Sequence, residues 1–368
     1  MKQVSPMRRA RRARDVIANY RYHFIQKGRA KRILRRVESA KGRTHPKLVK
    51  TSNEYARDVL GWVGYAPWLH VYCSVANEFR NGWIPDNYYR LVVIPAIKGD
   101  YDGLSYLRSL GPKMFGYELL PDVGYCVNGL FLSRAYDVLD QANITDSLFK
   151  QSDRIVFKLD NSLQGRDIFI LDRRSFDVDR LRSLGNGTFQ NYIAQHPFFR
   201  EFMPDSVATL RITTVMASDG EVSFRAGYLR FGRANETNVK SASHIRVPFN
   251  ERGVLDAQAY MANWLTTDRH PDTGVPFAGR IIPHCDKCVS AALQLQRLVP
   301  HARCVGWDMI VDQDSEVKLM EWNSSHNDVK FAEASQGPCF SDLGWERLWL
   351  TPRPPRKSQG HWAFRTRD

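Results

Sequence analysis

Late in the chain stand two short, apolar, aromatic-rich runs interrupted by acids, VGWDMIV (305–311) and VKLMEWN (317–323). The polar stretch DQDSE separates them. Short, aromatic-rich runs on either side of turn-forming residues predict a β-hairpin. With the turn centred on Asp314-Ser315, Asp308 faces Glu321 across the strands and Trp307 faces Trp322. A side-chain period of two puts Asp308, Ile310, Glu321 and Asn323 on one face, and Trp307, Met309, Met320 and Trp322 on the other.

The same reading extends backwards. Residues 53–80 carry a helical pattern with interruptions at Gly61, Gly64 and Pro67. YYRLVVIPAI is a continuous apolar run that fits a strand or a buried helical turn, and DGLSYLRSLGPKMFGYELL is helical around a break at Gly111-Pro112. Then the pattern turns to strands. DRIVFKLD and RDIFILD flank the tight NSLQG, and TFQNYIAQ reads as a third strand, followed by a short helix, HPFFREFM. ATLRITTVMA and EVSFRAGYLRFG pair across Ser218-Asp219-Gly220, and the helix KCVSAALQLQRLV precedes the acidic hairpin. The class is α+β, with antiparallel hairpins predominating.

Two acids inside apolar strands need a use, because an unpaired buried charge costs several kcal/mol or is neutralised. Asp308, Glu321 and the Asn323 amide are hard oxygen donors of the kind Mg²⁺ takes, completing its shell with water and phosphate oxygens. Pairing of both acids with nearby arginines is the alternative. Phosphates would also call for cations and a covering loop. Neither G-x-x-x-x-G-K-[ST] nor a helix-opening G-x-G-x-x-G occurs, which removes the main support for P-loop and Rossmann readings. Lys158 does lie in mid-strand ahead of NSLQGRD, where Ser162, Gln164 and Gly165 can turn backbone N–H groups toward phosphate oxygens. An isolated strand lysine is otherwise an edge residue facing solvent.

Charge adds a separate feature. Residues 1–50 hold 17 Lys and Arg against Asp15 and Glu38, a local +15 in a chain of net +14, so residues 51–368 sum to about −1. The segment is helix-compatible, with Val16, Ile17, Tyr20, Phe24, Ile33 and Leu34 as apolar anchors. It can lie on anionic lipid, bind a polyanion, or dock on the body with its arginines solvated. No apolar run reaches the length of a membrane span, and no apolar stretch follows the basic N-terminus as a secretory signal requires. Six cysteines in 368 residues make no disulfide framework, so an intracellular protein with reduced thiols is expected. The Pro-rich 350–368 reads as a tail.

The order of these parts (lysine strand, glycine loop, further strands, then Asp and Glu-x-Asn on a late hairpin) resembles that of ATP-grasp proteins, and more closely the sugar-transfer-associated ATP-grasp family. The resemblance rests on IVFKLDNSLQGRDIFIL, FQNYIAQHPFFREFMPDSVATLRITTV, YLRFGR and VGWDMIVDQDSEVKLMEWN, and spans roughly residues 90–345. It implies an ATP-grasp fold, two α+β subdomains enclosing ATP, with a helical basic region in front. Boundaries are expected as follows: a basic arm at 1–50, a helical region at 51–112, a small subdomain at 113–190, a large subdomain with the metal site at 191–349, and the tail. The resemblance further implies that Lys158 and the earlier Lys113 meet the nucleotide phosphates. Gln190, Asn191, Tyr192 and Ile193 would form the hinge beside adenine, and Asp308, Glu321 and Asn323 the Mg²⁺ ligands. Arg211 and Arg230 would be cations facing the phosphates or the reacting carboxylate, suited to the negative charge of a forming acyl phosphate.

The chain departs from that pattern at VKSASHIRVP, where His244 and Arg246 stand in place of small residues. His244 can be a base, a substrate contact or a structural loop histidine, and His326 in SSHND has the same options. His284, Cys285, Cys288, His301 and Cys304 have a superficial zinc spacing, but lie in an amphipathic segment with a core of its own, so free thiols are expected. The implied function is an ATP- and Mg²⁺-dependent carboxylate–amine ligase acting on a sugar or glycan precursor in surface-polysaccharide biosynthesis. A kinase of the same fold is the first alternative, and a silent scaffold using the basic arm the second. Carboxylate and amine substrates are the expected partners, with an anionic membrane surface for the arm and no specific nucleic acid. The expected location is cytoplasmic, extending to the inner membrane face.

Overall fold

The computed structural model describes residues 6–160, 168–204, 207–233 and 243–351. The basic arm is one long helix, α1 (Pro6–Lys41), followed by α2 (Pro46–Asp58) and α3 (Ala66–Ala76). Along α1, Gln26, Ala30 and Val37 are buried, with Ile33 and Leu34 half-buried beside them. This face packs on α3. The C-terminal half of the arm is therefore docked on the body.

Two expected breaks are starts instead. Pro67 lies in the first turn of α3 and Pro112 in that of the short helix Gly111–Phe115. There a missing N–H costs nothing, because no intrahelical partner waits for it. The turn between α2 and α3 uses Gly61 at φ +81°, a conformation that suits glycine. The ambiguous YYRLVVIPAI is helical: a π-helical segment, Tyr89–Val93, runs into the helical turn Ile94–Ile97. Tyr88, Tyr89, Val92, Val93, Ile94 and Ile97 are all buried there.

Strands follow in two sheets. The smaller comprises β1 (Asp122–Val127), β2 (Leu130–Ser133), β3 (Arg154–Leu159), β4 (Ile168–Asp172) and β5 (Gly187–Asn191), in the order β2-β1-β5-β3-β4. The larger comprises β6 (Thr209–Met216), β7 (Val222–Phe231), β8 (Ile245–Phe249), β9 (Ala259–Met261), β10 (Thr266–Thr267), β11 (Cys304–Val311) and β12 (Val317–Asn323). Its order is β10-β9-β8-β7-β6-β11-β12, and every pairing in both sheets is antiparallel. The expected strand TFQNYIAQ stops at Asn191. Residues 192–195 instead cross to the larger sheet, where Gln195 bridges Asp312.

Three cores result. One lies inside the small sheet and its helices, around Phe157 and Phe189. The larger sheet has a core on each side. Helix Cys285–Leu298 and the short helix Pro197–Phe202 cover one face, while the N-terminal helices cover the other, sharing a core with residues such as Tyr228, Trp264 and Phe331. All six cysteines are buried and unbridged. Burial pushes the Cys285 thiol up to about 12 and Cys288 higher still, against thiolate ligation. Among the described residues no three His, Cys, Asp or Glu side chains form a metal cluster.

Candidate active site

A pocket of about 540 Å³ lies between the two sheets. From the small sheet it is lined by Lys158, Ile168, Ile170 and Gln190, and from the larger by Arg211, Arg230, Asp308, Glu321 and Asn323. The hairpin has the anticipated register: Asp308 opposes Glu321 and Trp307 opposes Trp322, with the two indoles stacked 6.0 Å apart on the core side. A bulge after Asp308 pairs Met309 with Leu319, and Met320, expected beside the tryptophans, lines the pocket instead. An extra residue in one strand re-aims the side chains that follow it.

Asp308 is 3% exposed and held by two arginines. The facing residue on β6, Arg211, donates through Nε at 2.5 Å and Nη2 at 2.8 Å, and Arg230 on β7 through Nη2 at 3.2 Å. Burial alone would raise the Asp308 pKa. The positive charge of Arg211, then of Arg230, overrides it and keeps the carboxyl below the ordinary range. Glu321 is more open, with Arg108 Nη2 at 3.4 Å. Each acid thus has an arginine partner, as the alternative reading supposed. The donor set nonetheless fits Mg²⁺: two carboxylates and a side-chain amide, all able to offer oxygen, line the same pocket.

Lys158 is not an edge residue. β5 returns between β1 and β3, so β3 is flanked on both sides, by β5 and β4, and the lysine is 8% exposed at the pocket. Burial, then repulsion from Arg108, pushes its pKa down to about 8. Gln190, Asn191, Tyr192 and Ile193 line the same pocket on the segment joining the sheets, and Gln190 Nε2 donates to Asp122 at 2.7 Å. Lys113 is not brought there. It is exposed, with its ammonium 4.7 Å from the Tyr136 ring centre. Ser162, Gln164 and Gly165 lie outside the described residues.

The pocket also holds groups the sequence did not assemble. His244 and His326 line it with Arg246, Trp264, Asp328 and Lys330. Arg246, one of the departures from the family pattern, lies 5.0 Å from the Trp264 ring centre and 3.9 Å from that of Phe331, and its Nη1 approaches Asp328 at 3.4 Å. Behind His326, Asp86 sits 1% exposed, its Oδ1 2.9 Å from Nε2 of the imidazole and 3.6 Å from Lys330 Nζ. Burial raises the pKa of Asp86, but the His326 and Lys330 charges outweigh it and the net shift is downward. The loop carrying His326 is tied to the helical region. Lys98 Nζ donates to the Ser325 carbonyl at 2.7 Å, Tyr89 Oη to Asn327 Oδ1 at 2.7 Å, and Ser105 and Ser324 exchange two bonds of 3.1 Å.

Residues 180–342 match the model of the family described as sugar-transfer associated ATP-grasp. Over this span, less than half of the chain, it is similar to that family. The observed α+β class, with two antiparallel sheets, is in keeping with that similarity. No curated protein matches the chain. Among solved structures, the ADP complex of purK, N5-carboxyaminoimidazole ribonucleotide synthetase, is similar at 13% identity and TM-score 0.38, over 69% of this chain and 56% of that one. The Campylobacter jejuni biotin carboxylase–ATP-analogue complex is similar at 10% identity and TM-score 0.45, over 89% of this chain and 69% of that one. The ATP-grasp ligase PsnB with its minimal precursor is similar at 12% and 0.36, over 82% and 74%. The chain spans little more than half the length of the purK synthetase, and such distant likenesses carry nothing about its substrates. Among the described residues no helix is long and apolar enough to cross a membrane.

Proposed function

We propose that the protein is an ATP- and Mg²⁺-dependent ligase that joins a carboxylate to an amine on a sugar or glycan precursor. The observation that carries this reading is the convergence, in one inter-sheet pocket, of Lys158 with Arg211, Arg230, Asp308, Glu321 and Asn323. The apolar side chains of Val156, Ile168 and Ile170, with the 190–193 segment, suit an adenine, and Lys158 lines the same pocket as the two arginines. The family description supplies the sugar context.

In this reading a substrate carboxylate oxygen attacks the γ-phosphorus of ATP. The P–O bond to ADP breaks, leaving an acyl phosphate. Lys158, Arg211 and Arg230 hold the phosphoryl oxygens and offset the growing negative charge. Asp308, Glu321 and Asn323 would hold Mg²⁺, which when bound neutralises phosphate charge. The amine nitrogen then attacks the acyl carbon, the C–O bond to phosphate breaks, and the nitrogen gives up its proton. We assign that proton to His326, which lines the pocket with the buried Asp86 carboxylate 2.9 Å from its Nε2.

A panel of carboxylates and amines, read by ADP and phosphate release, tests the proposal, with hydroxylamine trapping the acyl phosphate as a hydroxamate. Glu321→Gln preserves shape but removes charge at the metal, so turnover is expected to fall about 10²-fold or more while the protein stays folded. Near-wild-type turnover in that variant would overturn the metal assignment. ATP-dependent phosphorylation of a hydroxyl, with no hydroxamate, would make the enzyme a kinase.

A further inference from the structure

The arm helix has two faces with different fates. Gln26, Ala30 and Val37 define the face docked on the body. At 3.6 residues per turn, Ile17, Tyr20 and Phe24 recur at i, i+3 and i+7 on the opposite side. They are 68%, 68% and 79% exposed, well beyond what scattered surface apolar residues need to explain. Arg14, Arg21, Lys31 and Arg35 are exposed on the same helix. An outward apolar stripe edged by cations, on a helix docked by its other face, is the pattern of a helix lying in a membrane interface.

From this geometry we infer that the outward face of α1 binds the surface of an anionic lipid bilayer. The charge balance selects this occupant. Residues 1–50 carry +15 while the remainder sums to about −1, so attraction to anionic headgroups is concentrated in the arm. Each cation near such a surface adds to the attraction, and several act together. A soluble polyanion would satisfy the arginines but leave Ile17, Tyr20 and Phe24 in water. A second copy would bring two strongly cationic faces together. Of these three, the bilayer alone offers anionic headgroups and an apolar layer at once. The inward side of the same turn is tied to the pocket: His23 Nδ1 lies 3.2 Å from Asn87 Nδ2, and the neighbouring Asp86 supports His326.

The test is co-sedimentation of the full chain with vesicles of phosphatidylcholine alone or mixed equally with phosphatidylglycerol. Binding is expected to the mixed vesicles, to weaken as salt shortens the Debye length, and to be absent on phosphatidylcholine alone. The triple variant Ile17→Ser, Tyr20→Ser, Phe24→Ser keeps every charge and alters only exposed positions. It should keep the wild-type melting temperature and bind mixed vesicles at least tenfold more weakly. A full chain that does not sediment with mixed vesicles overturns the inference. So does a triple variant that binds like wild type, since the arm is then a plain polycation, a result that competition by heparin would corroborate. Self-association in solution that the triple variant abolishes would also overturn it, by assigning the face to a second copy.

Discussion

Replacing Arg211 with methionine removes the guanidinium that grips Asp308 at 2.5 and 2.8 Å, where the two side chains are 7% and 4% exposed. Methionine retains much of the volume, so the loss is mainly electrostatic. Asp308 would keep only Arg230 at 3.2 Å, whose side chain is 22% exposed. Breaking a buried ion pair by removing one partner costs about 3–5 kcal/mol, because the other charge stays buried and uncompensated. The surviving contact puts the expectation at the lower end, about 3 kcal/mol. Asp308→Asn strands Arg211 and should cost a similar amount. The double variant removes both charges, so it should lose far less than the two singles together, with a coupling of about 2 kcal/mol or more. Urea denaturation of the four proteins measures this cycle. A pH series supplies an internal control. The folded pKa of Asp308 is depressed, so its stabilisation is present above the ordinary aspartate value of about 3.9. It is lost as pH falls through the lower folded value, and Asp308→Asn should lack that acid-side loss. Additivity within about 0.5 kcal/mol, with Arg211→Met costing under about 1 kcal/mol, would refute the reasoning.

Two further outcomes concern the pocket. Lys158, with its pKa pushed down to about 8, is charged below that pH and neutral above it. ADP affinity by calorimetry should therefore fall as pH rises from about 7 to 9, with proton uptake on binding. Lys158→Met should bind more weakly at neutral pH and lose this dependence, and an unchanged profile would separate Lys158 from the phosphates. His326→Gln should slow transfer to the amine while sparing carboxylate-dependent ADP/ATP exchange; equal loss in both half-reactions would remove its proton role.

The acidic hairpin was legible because its information is local. A period of two and a turn of known length place Asp308 against Glu321 without knowledge of anything else. The bulge that turned Met320 into the pocket left no such mark. Taken alone, Lys158 fitted an edge lysine, and only the order of the surrounding motifs pointed it at phosphates, because its neighbour β5 arrives from about thirty residues downstream and strand order is a long-range property. Asp86 could not have been paired with His326, since they are 240 residues apart and nothing in IPDNYY marks a buried support. The apolar anchors of α1 were visible, but not their division: Ile33 and Leu34 found the body, while Ile17, Tyr20 and Phe24 did not. Similarly, YYRLVVIPAI has no periodicity to separate strand from helix, and packing on all sides decided it.

The bonds from Lys98, Tyr89 and Ser105 to the loop at 324–327 bear on where this protein can be cut. The family-matched span, 180–342, looks like a module to a protein engineer, yet excising it would strip away Lys158, Asp86 and the helices covering one whole face of the larger sheet. The freed fragment would show water an apolar face meant for helices, and its histidine loop would lose three anchors. A transplantable unit must therefore begin well upstream of that span, within the helical region itself.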